Sequence, residues 1–419
     1  MFKLVLTAIL LLTAQSAQAD ALVKGFNLTE AENFPYDAAA DGQPKTPAQD
    51  AVDQAFRLGS NHIILNVRAT MKGPFANEIT PVTPPAERAN EARRMARLIR
   101  YIKAKGMTVG LRPIFFVVGP NGEFPYSEKQ ADGTNKVWWH GNIQPSDPNR
   151  WFESFRVYLD VYLTIAKALK VEEFTVGAEL YSMTVGLEDQ WKEYPYGFPG
   201  RWLELLRYVR SKLPTARLMY DINFTDEKVS SPDFTVQGGE LERWRYRLVD
   251  LADPANPEEK QIWEDLASFW KELDAVGVDM YRSLAGPNDV LPSEYEALVD
   301  HLRQRADSFA SQLDSTLSAV ELTLGVQKPA ILKEIGYRSV DRGFIDPFAY
   351  AGTGTMNEQH QAAAFDAIYR SFWEARWPWF AGLNWWEIQV DPSRSGPRDT
   401  GFSPVSKQQT EDVILKYWR

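Results

Sequence analysis

The stretch Phe174-Thr175-Val176-Gly177-Ala178-Glu179-Leu180 decides how the chain is read. Apolar and β-branched residues run straight into a glutamate, the pattern of a short buried strand with a charge at its end. A second stretch has the same form: Pro329-Ala330-Ile331-Leu332-Lys333-Glu334-Ile335-Gly336-Tyr337. A carboxylate at such a place is poorly solvated unless something there uses it. A structural ion pair, with Lys333 or Arg338 for example, would explain either acid alone. Two strand-end acids in a chain of alternating strands and helices point instead to a barrel with both acids at one mouth.

The alternation extends in both directions from these stretches. Strands are predicted at Val23 to Leu28, His62 to Arg68, Met107 to Phe116, Arg217 to Asn223, Val276 to Tyr281 and Phe380 to Trp386, besides the two that end in glutamate. Each is followed by a helical pattern. Thr46-Pro47 and Asp147-Pro148 are helix-opening signals, and Gly59 and Gly106 are stops. The helix over about 86–105 carries Glu87, Arg88, Glu91, Arg93 and Arg94, read as a solvated face. Two segments resist assignment. One is a long loop to about Pro148 containing Trp138-Trp139-His140-Gly141; the other is the polar segment 224–256. Strand–helix units repeated this way, with no dividing linker, predict the α/β class and a (β/α)8 TIM barrel, one domain over 20–419.

Residues 1–19 have the form of a secretory signal peptide: Lys3, an apolar core over Leu4 to Thr13, and Ala17-Gln18-Ala19 before Asp20. The apolar run is short for a bilayer span. The expectation is a secreted or periplasmic protein with no stable membrane insertion after signal removal. A net charge of −10 disfavours nucleic acid as a partner. The absence of Cys removes disulfides and thiolate metal sites, and the four His show no paired ligand spacing, so no metal and no cofactor is expected. No phosphate-binding glycine loop or nucleophile elbow is present.

In a barrel of this kind the working residues sit at the C-terminal ends of the strands. Those ends carry Asn27, Arg68, Arg112, Glu179, Asn223, Tyr281, Glu334, Trp385 and Trp386, with Trp139 in the long loop. Two acids, amide and cationic donors, a phenol and aromatic faces form a set that suits sugars, whose C–H faces stack and whose hydroxyls need forked hydrogen bonds. Paired carboxyls are what glycoside hydrolysis requires. Adjacent on a strand, Trp385 and Trp386 point to opposite sides, so at most one faces the cavity.

Acids ending the fourth and seventh strands resemble the signature of the clan of retaining (β/α)8 glycoside hydrolases. Within that clan the chain resembles glycoside hydrolase family 113, whose characterised members are chiefly β-1,4-mannanases. The resemblance rests on Val176-Gly177-Ala178-Glu179-Leu180, Met219-Tyr220-Asp221-Ile222-Asn223, Gly277-Val278-Asp279-Met280-Tyr281 and Lys333-Glu334-Ile335-Gly336-Tyr337-Arg338-Ser339, together with Trp139-x-Gly141 leading to Trp151-Phe152. It covers nearly all of the chain beyond the leader. It implies that Glu179 is the acid/base and Glu334 the nucleophile, with Tyr281 donating to Glu334. One position departs: Ala178 stands where many members of the wider clan carry Asn. The resulting expectation is a retaining hydrolase of neutral β-linked polysaccharide or oligosaccharide, β-1,4-mannan first, with Glu179 the more basic of the two carboxylates. The alternative is a catalytically silent carbohydrate-binding barrel involved in polysaccharide handling.

Overall fold

A computed structural model describes residues 22–130, 132–230, 235–350 and 354–419; the expected leader over 1–19 lies outside them. Eight parallel strands form the centre: β1 Val23–Thr29, β2 His62–Lys72, β3 Thr108–Val118, β4 Glu173–Ala178, β5 Arg217–Thr225, β6 Ala275–Tyr281, β7 Ala330–Ile335 and β8 Phe380–Gln389. They pair in the order β1-β8-β7-β6-β5-β4-β3-β2, and β2 pairs back onto β1, which closes the barrel. A short strand, Ile79–Pro81, adds antiparallel to the end of β2.

The helices between the strands are α1 Pro47–Arg57, α2 Arg88–Ala104, α3 Pro148–Leu169, α4 Pro199–Lys212, α5 Pro257–Glu272, α6 Tyr295–Leu324, α7 Glu358–Ile368 and α8 Gln408–Trp418. Four of them begin on proline, whose fixed φ suits the first turn and whose missing N–H is not needed there. Thr46 caps α1 in a capping box with Gln49, and Asp147 caps α3. The reading of α2 needs one correction. Glu91 is buried and accepts from the Tyr162 hydroxyl at 3.4 Å, because α3 packs over that face.

Both unassigned segments contain structure. Tyr126–Lys129 and Asn135–Trp138 form a hairpin ahead of Trp139. The segment after β5 holds strands Lys228–Ser230 and Thr235–Gln237, a helix Glu240–Arg245 and a wider turn through Asp250. Sequence periodicity could not show these because each element is too short to display a period.

The barrel interior is layered. Val23, Met219, Ala275 and Ile331 form a small apolar plug, separate from the large core between strands and helices. Other inward-facing side chains are polar. Lys333 pairs with Glu173, and His62 lies 3.5 Å from the same carboxylate. Burial pushes Glu173 up, but the Lys333 charge and the His62 contact outweigh it and hold the carboxyl below its usual range. Lys333 therefore serves Glu173 and not Glu334, and Arg338 donates instead to the Thr400 carbonyl at 3.1 Å. Gly277 makes the layer possible: a Cβ there would lie 2.0 Å from Asp221 Oδ1.

Candidate active site

Glu334 lies in β7 and is buried. Its two oxygens meet different donors: Arg112 Nη1 at Oε1, and the Tyr281 hydroxyl, 2.7 Å away, at Oε2. Arg112 comes from β3 and Tyr281 ends β6, so three strands meet on one carboxylate. The remaining arms of the guanidinium bind Asp221 (Nε to Oδ2, 2.7 Å) and Asp279 (Nη2 to Oδ2, 2.7 Å). One cation thus serves three carboxylates, a task that suits the rigid five-donor fork of Arg. Burial together with the neighbouring negative charges pushes Asp279 well up, and Asp221 shifts the same way.

Glu179 directly follows β4, in a left-handed conformation with φ of 54°. That region costs a non-glycine residue roughly 1–2 kcal/mol and persists only where the surroundings enforce it. Here the Glu179 N–H donates to the Asp221 carbonyl at 2.8 Å, and the next N–H, of Leu180, donates to the Tyr220 hydroxyl at 2.9 Å. The carboxylate accepts from Asn223 Nδ2 at 2.8 Å on Oε1 and lies 3.0 Å from His140 Nε2 on Oε2. His140 is placed by the loop after the hairpin, where Trp139 packs edge-on against both His140 and Tyr181.

The surroundings push the two carboxylates in opposite directions. Burial pushes Glu334 up and Arg112 pulls it down; the negative charges of Glu179 and Asp221 keep the net shift upward. Burial also raises Glu179, but the hydrogen bonds and charge of His140 and the Asn223 amide leave it below its usual range. The expectation of a more basic Glu179 took no account of His140, whose place in the sequence carries no sign that it reaches a strand-end carboxylate.

The other expected contacts divide. Arg112 and Asn223 touch the glutamates directly. Asn27 is buried one step away, donating to the Lys333 carbonyl at 2.7 Å and accepting from Asn66. Arg68 is half-buried at the rim, 4.0 Å from Glu30. Trp385 is a correction: it stacks on Phe365 of α7 and donates to the Tyr369 hydroxyl at 2.8 Å, on the helix side of the barrel wall. Trp386 takes the opposite side, as strand alternation requires. Glu387 follows it, accepting from Thr29 (2.7 Å) and Gln389 (2.8 Å), and burial pushes its carboxyl up to about 7.

Asp221, Asp279, His140 and Glu387 were not among the expected site residues. Two of them carried a signal. Asp221 and Asp279 lie two positions before Asn223 and Tyr281, and therefore on the same strand face. Among the described residues no cluster of three or more His, Asp or Glu side chains is placed to hold a metal, and no helix is long and apolar enough to cross a membrane.

The profile of Glycoside Hydrolase Family 113 matches residues 34–196 and 255–407. Among solved structures, a complex of a GH113 β-1,4-mannanase is 17% identical with a TM-score of 0.58, over 95% of this chain and 99% of that one. The GH113 β-mannanase AaManA from Alicyclobacillus acidocaldarius, in complex with ManMIm, is 17% identical with a TM-score of 0.61, over 95% and 97%. At these identities the structural likeness speaks for the fold. No curated protein sequence matches. The family profile covers most of the chain and both glutamates, and on that ground the protein belongs to Glycoside Hydrolase Family 113 and is a glycoside hydrolase.

Proposed function

We propose that the protein is a retaining β-mannanase in which Glu334 is the nucleophile and Glu179 the acid/base. The observation that carries this reading is the unequal dress of the two carboxylates. Both Glu334 oxygens meet donors that stay protonated at working pH, an arginine and a tyrosine whose own ionisation is pushed well above its usual range by burial and by Glu334. That environment orients the carboxylate for attack on an anomeric carbon. Glu179 instead faces His140, whose Nε2 donates or accepts according to its tautomer. When Glu179 is ionised, the imidazole donates to it. When Glu179 is the acid, a neutral imidazole Nε2 accepts from it.

The reaction then follows the two-step retaining course. Glu334 attacks the anomeric carbon as Glu179 gives its proton to the leaving glycosidic oxygen. Glu179 next takes a proton from water, whose oxygen displaces Glu334 from the anomeric carbon and leaves a hemiacetal of retained configuration. The Ala178 methyl cannot hydrogen-bond a 2-hydroxyl, so any such contact comes from another residue. Trp139 and Trp386 supply faces for stacking, which tolerates several sugars; the polar contacts must choose among them.

Incubation with mannohexaose, cellohexaose and xylohexaose, with product analysis by NMR, tests both parts. Cleavage of the gluco- or xylo-oligomer with mannohexaose intact would refute the mannan assignment. An inverted first-formed anomer would refute the retaining mechanism. We also propose export through a leader at residues 1–19, tested by the N-terminal sequence of protein recovered from outside the cytoplasm.

A further inference from the structure

We propose that Glu240, which opens the short helix after β5, is a positioning residue for Glu179. The inference rests on the reading of Glu179 as the acid/base. Glu240 is fully buried and reaches the acid/base through two intermediaries, Asn223 and Tyr220. Its Oε2 accepts from the backbone N–H of Asn223 at 3.1 Å, and the Asn223 amide in turn donates to Glu179. Its Oε1 lies 2.9 Å from the Tyr220 hydroxyl, which accepts the Leu180 N–H immediately after Glu179. Trp244 Nε1 also donates to Oε1, at 3.0 Å, and anchors the carboxyl to its own helix. One route therefore holds the partner of the Glu179 carboxylate, and the other holds the backbone turn that keeps Glu179 at positive φ.

The chemistry of the site requires a carboxyl group. Each oxygen faces an N–H that can only donate, Asn223 on one side and Trp244 on the other. A glutamine would turn its NH2 against one of them in either orientation. A carboxyl group satisfies both, charged or neutral. The approach is also close: Gly239, at φ of 57°, leaves room where a Cβ would lie 2.6 Å from Asn223 Oδ1. Burial, helped by the nearby Glu179 charge, pushes the Glu240 carboxyl up to about 8 despite its donors. Holding an acid so far from its ordinary range has a cost, which argues for a use beyond packing. Residues 197–254 fall between the two segments matched by the family profile, so this support comes from a part of the chain outside the match.

The test is a cycle of variants, with melting curves as the check on folding. Glu240→Gln should lower kcat on the natural oligosaccharide by about tenfold or more, with KM changed by no more than about twofold, since the acid/base acts in the transition state. Tyr220→Phe keeps the ring and removes the bridging hydroxyl; it should act in the same direction and carries the test alone if Glu240→Gln fails to fold. Each is then combined with Glu179→Ala and assayed on the dinitrophenyl glycoside of the same sugar with azide, which needs no proton donor. There the added substitution should cost nothing further. Wild-type kcat in both single variants, or an equal loss with and without Glu179, would overturn the proposal. Wild-type turnover in Glu179→Ala alone would instead show that the acid/base reading is wrong, and the role assigned to Glu240 would fall with it.

Discussion

Replacing Arg112 by Met should leave Asp221, Asp279 and Glu334 without their shared cation in a wholly buried place. Removing one partner of a buried ion pair costs about 3–5 kcal/mol, because the group left behind stays desolvated and unpaired. Three carboxylates lose their partner here, yet they can take up protons instead, which caps the loss. Burial, which pushes Asp279 and Asp221 upward, favours such uptake. The expected cost is therefore about 3–5 kcal/mol at pH 8, falling as the pH is lowered toward 5. Arg112→Lys keeps the charge but cannot reach all three partners. Losing two charge-assisted hydrogen bonds of about 1.5–3 kcal/mol each, partly regained by relaxation, gives on the order of 3 kcal/mol. Guanidinium unfolding curves at pH 5 and pH 8 measure both. The Arg112 charge also lowers the Glu334 pKa, so in the Met variant the acid limb of kcat/KM should move to higher pH. A Met variant within about 1 kcal/mol of wild type at pH 8, with the acid limb unmoved, would refute this account of the buried cluster.

Tyr281→Phe should lower kcat more than it changes KM, read from steady-state kinetics, because it removes one of the two donors on Glu334. His140→Asn should cost kcat on unactivated oligosaccharides more than on dinitrophenyl glycosides, where proton donation matters least. Glu387 has a folded-state pKa of about 7 against a usual carboxyl value of 4.5, so the native state binds more protons than the unfolded state between those values. Stability is then lost as the pH rises through this window, by at most about 1.4 kcal/mol for each pH interval of one. Glu387→Gln should flatten that part of the stability profile in melts from pH 4 to 8. Gly277→Ala should destabilise by about 1–3 kcal/mol, or more if Asp221 cannot move, since the added methyl meets its carboxylate.

The barrel was legible in the sequence because its signals are local. Buried strands such as Phe174–Ala178 are short apolar runs, and helices such as α1 and α3 announce their starts with a cap and a proline. The two glutamates were legible for the same reason: a charge ending a buried strand stands out, and strand ends share one mouth in a closed barrel. Alternation also assigned Trp385 and Trp386 to opposite sides, but it could not say which faced inward. That depended on Phe365 of α7 and on Tyr369 just after it. The tertiary structure alone decided which charges meet. Arg112 joins Asp221, Asp279 and Glu334 from four different strands; His140 reaches Glu179 from a loop, and Glu240 reaches it through Asn223 and Tyr220. Hydrogen-bond partners and pKa shifts are properties of distances between residues far apart in the chain. Local pattern can name the acids, while only the closed barrel sets their neighbours and so their protons.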